Sequence, residues 1–263
     1  MAFLHFYSQA KNAHSIIVNA ASTREQASPG EIIALLDDLE SHGVTVTHAD
    51  EFRALVNFEP APSTVPDPFS TDPSTAHATV TERSLRSGEN GRRMSIAWAD
   101  YTRDAGRKLL DSMAAEADTY IETLRPSFDA AATTTAAALA LDLNENTTYE
   151  TLVEDGTPEE IDAWRAYLEA RTTLDRIATT RIAMSAWLDL PPQGNATYNT
   201  EVPDYTPAFV TADTPMSRNV SQISANALTH RWLNLQNSAG TALNLNTIAE
   251  LDAVGYARGH AVA

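Results

Sequence analysis

The sequence predicts a mainly α protein: two long amphipathic helices in a helical bundle, preceded by a small α/β module and accompanied by Pro-rich extended segments. Three observations predict this. Apolar residues recur at steps of three and four over two unusually long stretches, near 92–125 and 158–190. Two helix starts carry a hydroxyl cap, a proline at the first helical position and a glutamate two residues after it, at Ser28-Pro29-Gly30-Glu31 and Thr157-Pro158-Glu159-Glu160. Prolines gather in two stretches where no period survives. A chain of 263 residues with 43% hydrophobic and 20% charged residues is long enough, and apolar enough, to bury a core.

Residues 1–58 read as a β–β–α–β–α module. Phe3–Tyr7, Ser15–Asn19 and Val44–Thr47 are short runs of strand formers. Between them a helix runs through Ile32, Ile33, Leu35, Leu36 and Leu39 to a stop at Gly43, and a shorter one passes through Phe52, Leu55 and Val56. Residues 59–78 hold Pro60, Pro62, Pro66, Pro68 and Pro73, five of the thirteen prolines, and form a linker or arm.

Residues 79–190 form the long-helix domain. Met94, Trp98, Tyr101, Ala105, Leu109, Met113, Ala117, Tyr120 and Leu124 trace one stripe from about Arg92 to Arg125, where Pro126 ends or kinks the rod. An Ala/Thr-rich helix follows over Phe128–Leu143, then a turn at Asn144–Thr147. The second long stripe is Ile161, Trp164, Leu168, Arg171, Leu174, Ile177, Arg181, Met184 and Leu188. The two long helices are expected to pack antiparallel with Trp98, Tyr101, Leu109, Trp164, Leu168 and Ile177 buried. Arg171 and Arg181 stand where apolar residues belong. Either their stems cover the seam while their heads reach solvent, or they make a buried ionic contact that fixes register; the first reading is preferred. Residues 191–216 are a second extended arm, with Pro203, Pro207 and Pro215. Residues 217–263 carry a helix through Val220, Ile223, Leu228, Trp232 and Leu235, and a last one from Asn246.

Charge and composition narrow the function classes. Thirty-five acidic residues against eighteen basic ones give a net charge of −17, which disfavours direct contact with nucleic acid or anionic lipid. Only Lys11 and Lys108 are lysines. That bias fits a GC-rich genome, a salt-loving host whose proteins keep acidic, lysine-poor surfaces, or both. With no cysteine, disulfides, thiolate catalysis and Cys-based zinc sites are excluded. Met1–Ala21 has no signal-peptide pattern, and the longest uncharged run, Ala130–Leu141, is too short to span a bilayer.

No catalytic signature is present: no Gly-x-Ser-x-Gly, no phosphate loop and no His-Glu-x-x-His. His42, His48 and Asp50 are near in sequence but share no imposed geometry, and read as turn residues. Asp100 and Asp104, with Arg103 and Arg107 beside them, read as the solvated face of a helix rather than an acid–base pair. Arg83, Arg86, Arg92, Arg93, Arg103, Arg107 and Lys108 are the one basic cluster. It serves either to dock an acidic neighbour, including another copy of the chain, or to pair locally along the helix. No cofactor, metal or small-molecule substrate is expected, and Arg92, Arg93, Trp98, Tyr101, Trp164, Arg171 and Arg181 are the candidate interface residues.

The segment Thr157-Pro-Glu-Glu-Ile-Asp-Ala-Trp-Arg-Ala-Tyr-Leu-Glu-Ala-Arg171, a capped helix that opens acidic and runs through Trp-Arg-x-Tyr, resembles a helix of tail-fibre and tail-assembly proteins of tailed viruses. The resemblance covers about fifteen residues and departs at Thr172-Thr-Leu-Asp, where an Arg-Asp-Ile-Pro ending is usual. It implies a non-enzymatic virion component of a tailed virus of halophilic archaea or high-GC bacteria, at the tail, head–tail junction or capsid surface. Its partners would be further copies of itself and other virion proteins. The competing expectations are a soluble helical adaptor for a cellular protein and an enzyme using carboxylates.

Overall fold

Ser28 opens the first helix, α1 (Pro29–Ser41), as its sequence requires. Its hydroxyl accepts from the Glu31 amide, and the Glu31 carboxylate accepts from the Ser28 amide at 2.7 Å. The computed structural model describes residues 27–58, 74–75, 77–78, 81, 88–144, 146–190, 206–211, 231–237 and 242–253. Among them the chain is mainly helical, with eight helices and no strand.

Helix α1 ends in a Schellman turn. Gly43 takes a left-handed φ of 80° and donates to Glu40, while Val44 donates to Leu39. Val44 and Val46 are buried, but as a connection between helices rather than the expected strand. Among the described residues no neighbouring strand offers a ladder, and α2 (Ala49–Val56) begins three residues after Val46. Arg53 clamps α2 to α1 with hydrogen bonds of 2.8 Å to Asp37 and 2.9 Å to Glu40. The strands expected at 3–7 and 15–19 lie outside the described residues.

The long rod exists but divides elsewhere. Helix α3 spans Gly88–Ala115 and α4 spans Ala117–Ala140, separated at Glu116 (φ −105°, ψ 5°). Pro126, expected to end or kink the rod, lies inside α4. It occupies the exposed face, so the carbonyl of Glu122 that loses its donor is open to water. At the true break the Glu116 amide bonds three residues back to Met113, and its carboxylate accepts from the Tyr120 hydroxyl at 2.8 Å. Burial and that bond both push the Tyr120 phenol well above its usual range.

Helix α3 crosses α1 and α2 at Gly106. A Cβ there would stand 2.7 Å from Ile32 Cδ1 and 3.4 Å from Phe52 Cζ, so the missing side chain allows the close approach. Helix α5 (Tyr149–Asp155), which periodicity does not announce, is capped by Thr148 and Thr151 in a box with threonine in the glutamate position. Thr157 and Glu160 then open α6 (Pro158–Trp187), and the Thr157 amide and hydroxyl hold the Glu160 carboxyl below its ordinary range.

Helices α4 and α6 form the principal helix pair and run antiparallel: the end of α4 at Ala138 meets Trp164 and Tyr167 near the start of α6 in a second small core. The expected pairing of 158–190 with 92–125 therefore shifts to α4. Small residues of α4 (Ala131, Ala132, Thr135, Ala138) are buried, and Thr135 satisfies its hydroxyl on the Ala131 carbonyl. The first half of α6 is amphipathic; from Ile177 to Ser185 every residue is buried, as in a central helix with neighbours on all sides.

The C-terminal residues close this core. Phe128 of α4 and Phe209 meet Trp232 of α7 (Arg231–Asn237) edge-on, with ring centroids 6.0 and 5.9 Å away. A 3₁₀ turn at Thr206–Ala208 leads to an isolated bridge between Val210 and Leu243. The Asn246 side-chain amide donates to the carbonyls of Pro207 and Val210. Part of the 191–216 segment, expected as an extended arm, thus packs on its own chain, with Ala208, Phe209 and Val210 buried. Helix α8 (Ile248–Ala253) is capped by Thr247 and Glu250 and by Asp118 of α4, whose carboxylate accepts from the Ile248 amide at 2.6 Å. Arg125 reaches Glu250 at 2.6 Å. Burial raises the Glu250 carboxyl, but the Thr247 and Arg125 bonds together hold it below its usual range.

Candidate protein-contact surface

Helix α3 has two unlike halves. From Thr102 onward Thr102, Leu109, Leu110 and Met113 are buried, and Gly106 sits against α1 and α2. From Arg92 to Tyr101 every residue is exposed. The amphipathic stripe continues along this stem, and among the described residues it stays largely uncovered: Met94, Ile96, Trp98 and Tyr101 remain 55%, 54%, 40% and 59% exposed. Met94, Trp98 and Tyr101, spaced by four and three, share one face.

The aromatic part of this face is assembled from two places. Phe58 follows the end of α2 and is itself more than half exposed. Its ring lies 5.4 Å from that of Trp98, which lies 5.7 Å from that of Tyr101. Scattered exposed apolar side chains are ordinary on a protein surface. Three aromatic rings in contact beside an exposed Met form a patch of the kind that marks a protein contact.

Charges border the patch. Arg103 pairs with Asp100 at 2.8 Å and Arg107 with Asp104 at 3.4 Å, both exposed pairs within the helix. Part of the basic cluster therefore pairs locally, and the two carboxylates belong to the solvated face, as read from the spacing. Arg92 and Arg93 are exposed at the outer end of the stem.

Four of the seven candidate residues, Arg92, Arg93, Trp98 and Tyr101, come together on this stem. For Trp98 and Tyr101 the expectation of burial is corrected: their half of α3 extends past the α1–α2 pair, and the helix expected to cover them packs on α4. Leu168, also expected in the core, is 36% exposed. Of the other three, Trp164 and Arg181 are buried and Arg171 is partly buried. Trp164 is buried, its ring 5.4 Å from that of Tyr167. Arg171 lies 3.6 Å from Asp175, which also accepts a 2.7 Å hydrogen bond from the Trp232 indole. Arg181 has no exposure at all and donates to Ser185. The preferred reading of solvent-reaching heads fails for Arg181, because the helix around it is buried on every side.

Phe58 was not legible as a site residue; its neighbour Trp98 is forty positions away, and no local pattern joins them. Among the described residues no group of three or more His, Asp or Glu side chains is placed to hold a metal ion. His48 lies 3.7 Å from Glu51, and Asp50 bonds Arg53. His42 caps α1, where burial and the Arg176 charge lower its pKa. Among the described residues no helix is long and apolar enough to cross a membrane.

Comparison of the chain with known protein families, with curated proteins and with solved structures found no match.

Proposed function

We propose that this chain is a non-enzymatic structural or assembly component of a tailed-virus particle, working through contacts between subunits. The observation that supports the reading is the stem of α3, whose aromatic face is exposed among the described residues while the other long stripes are buried. Trp98, Tyr101, Phe58 and Met94 are still 40–59% exposed, so covering them returns a part of the roughly 1.5–3 kcal/mol that full burial of a large apolar side chain supplies. A protein partner that covers them recovers that free energy on association. The −17 charge keeps the face from non-specific contact with nucleic acid or anionic membrane. The placement in a virion, at the tail, the head–tail junction or the capsid surface, rests on the resemblance of Thr157–Arg171 to tail-protein helices. The same face on a free cellular chain would make it an adaptor for a host protein.

Mass spectrometry of virus particles banded on a density gradient from the producing culture tests the reading. The chain is expected in the particle band at a fixed ratio to the main virion proteins. Recovery only from the soluble cell fraction, bound to a cellular protein, would replace the virion reading with the adaptor.

A further inference from the structure

We infer that the end of the molecule built from α5 and the adjoining ends of α4 and α6 is a salt-operated switch. In dilute buffer it opens and uncovers Leu152, Trp164 and Tyr167. As salt screens its carboxylates it closes, and the main core stays folded throughout.

The net charge is concentrated at this end. Residues 126–164 hold nine acidic residues and no lysine, arginine or histidine, so thirty-nine residues carry −9 of the net −17. The other 224 residues hold twenty-six acidic against eighteen basic ones, a balance of −8. Of the described carboxylates in the stretch only Asp162 pairs with a base, Arg165 at 3.2 Å, and Glu160 is taken up by the Thr157 cap. Position makes part of this charge more costly. Glu154 and Asp155 occupy the last turn of α5, where a negative charge opposes the helix dipole. Asp142 stands just past the end of α4, another helix with no base in its last turn. Four carboxylates, Glu154, Asp155, Glu159 and Glu160, fall within seven residues across the Gly156 joint.

The packing that opposes this repulsion is small and separate from the main core. Ala138, Leu143, Leu152, Trp164, Tyr167 and Leu233 form a cluster of their own. Only Leu152 of the seven residues of α5 is buried, and Tyr149 and Val153 stay 55% and 58% exposed. A helix this short does not hold itself together in water, so α5 depends on that one anchor and on its threonine cap. The left-handed Asp142 at the connection from α4 takes a little more from the stability of the closed form. A segment with few buried anchors opens before the rest of a fold. Repulsion reaches across a Debye length of about 10 Å at 0.1 M salt and about 3 Å at 1 M, so salt removes most of what strains this end.

Amide hydrogen exchange of the full chain at about 0.1 M and about 1 M sodium chloride tests the inference. The Leu143, Leu152 and Gly156 amides, which donate to Ala138, Thr148 and Leu152, report on this end. The amides from Ile177 to Ser185, where every residue is buried, report on the main core. Protection of the first set is expected to rise about tenfold or more with salt, and that of the second to change far less. In the double variant Glu154→Gln, Asp155→Asn, the first set should show at about 0.1 M the protection that the parent reaches only at about 1 M. Parent-like protection from Ile177 to Ser185 confirms that the variant is folded. An equal salt response in both sets would make the molecule one cooperative unit and overturn the inference. So would amides of the first set indifferent to salt, or a folded variant that keeps the parent's salt response.

Discussion

Asp142 and Asp189 take left-handed backbone angles (φ 58° and 57°) just past the ends of α4 and α6, where glycine is the usual occupant. Each ends a Schellman turn: Leu143 donates back to Ala138, and Leu190 back to Ser185. An L-residue in this conformation costs about 1 kcal/mol relative to glycine. Asp142→Gly and Asp189→Gly are therefore each expected to raise unfolding free energy by about 0.5–1 kcal/mol in urea titration. A loss of stability would mean that the aspartate side chains contribute more than their backbone strain removes. Asp38 offers a pH-dependent test. Burial raises its carboxyl above the ordinary 3.8, Arg176 partly offsets this, and Asp37 adds to it. A folded pKa above the unfolded one means a contribution present below the unfolded value and lost as pH rises through the folded one. Asp38→Asn should therefore be more stable than the parent at neutral pH and indistinguishable from it in acid below the carboxylate range.

At the scale of elements, Arg181 gives the sharpest prediction. It is wholly buried within the stretch of α6 that has neighbours on every side. Arg181→Ala leaves both a cavity and polar partners without their donor, and is expected to cost about 3 kcal/mol or more. Thermal melts of the variant would check it, and a change within 1 kcal/mol of the parent would contradict the packing. The helices themselves were legible because their signals are local. Ser28–Glu31 and Thr157–Glu160 announced α1 and α6 from four residues each, and the three-and-four spacing announced the rods. What was not legible depends on residues far apart. Which helix pairs with α6 is decided by the small residues of α4 and by Gly106, which draws α3 toward α1 and α2 instead. Pro126 was misread because its effect depends on which side of the helix faces water. Arg181 was misread because the stripe pattern records one face of a helix and is blind to burial on all faces. For the candidate contact surface, the spacing placed Trp98 and Tyr101 on one face of α3, but periodicity marks an apolar face without saying whether the same chain covers it.

For the whole molecule the net charge governs behaviour in solution. At −17 the compact state is strained by self-repulsion in dilute buffer, and salt screens it within a Debye length of about 3 Å at 1 M. The melting temperature is expected to rise between low and molar salt; a flat response would leave codon composition as the reason for the acidic, lysine-poor sequence. If the exposed stem of α3 is where this chain meets its partners, amide hydrogen exchange over the stem registers the contact. In the dilute chain, amides over 92–101 should exchange far faster than those of α4 and α6, since every residue from Arg92 to Tyr101 is exposed. On assembly, protection should rise over 92–101 while the α4 and α6 amides stay as they were. Stem amides already as protected as those of α4 in the dilute monomer, or unchanged on assembly, would contradict the account.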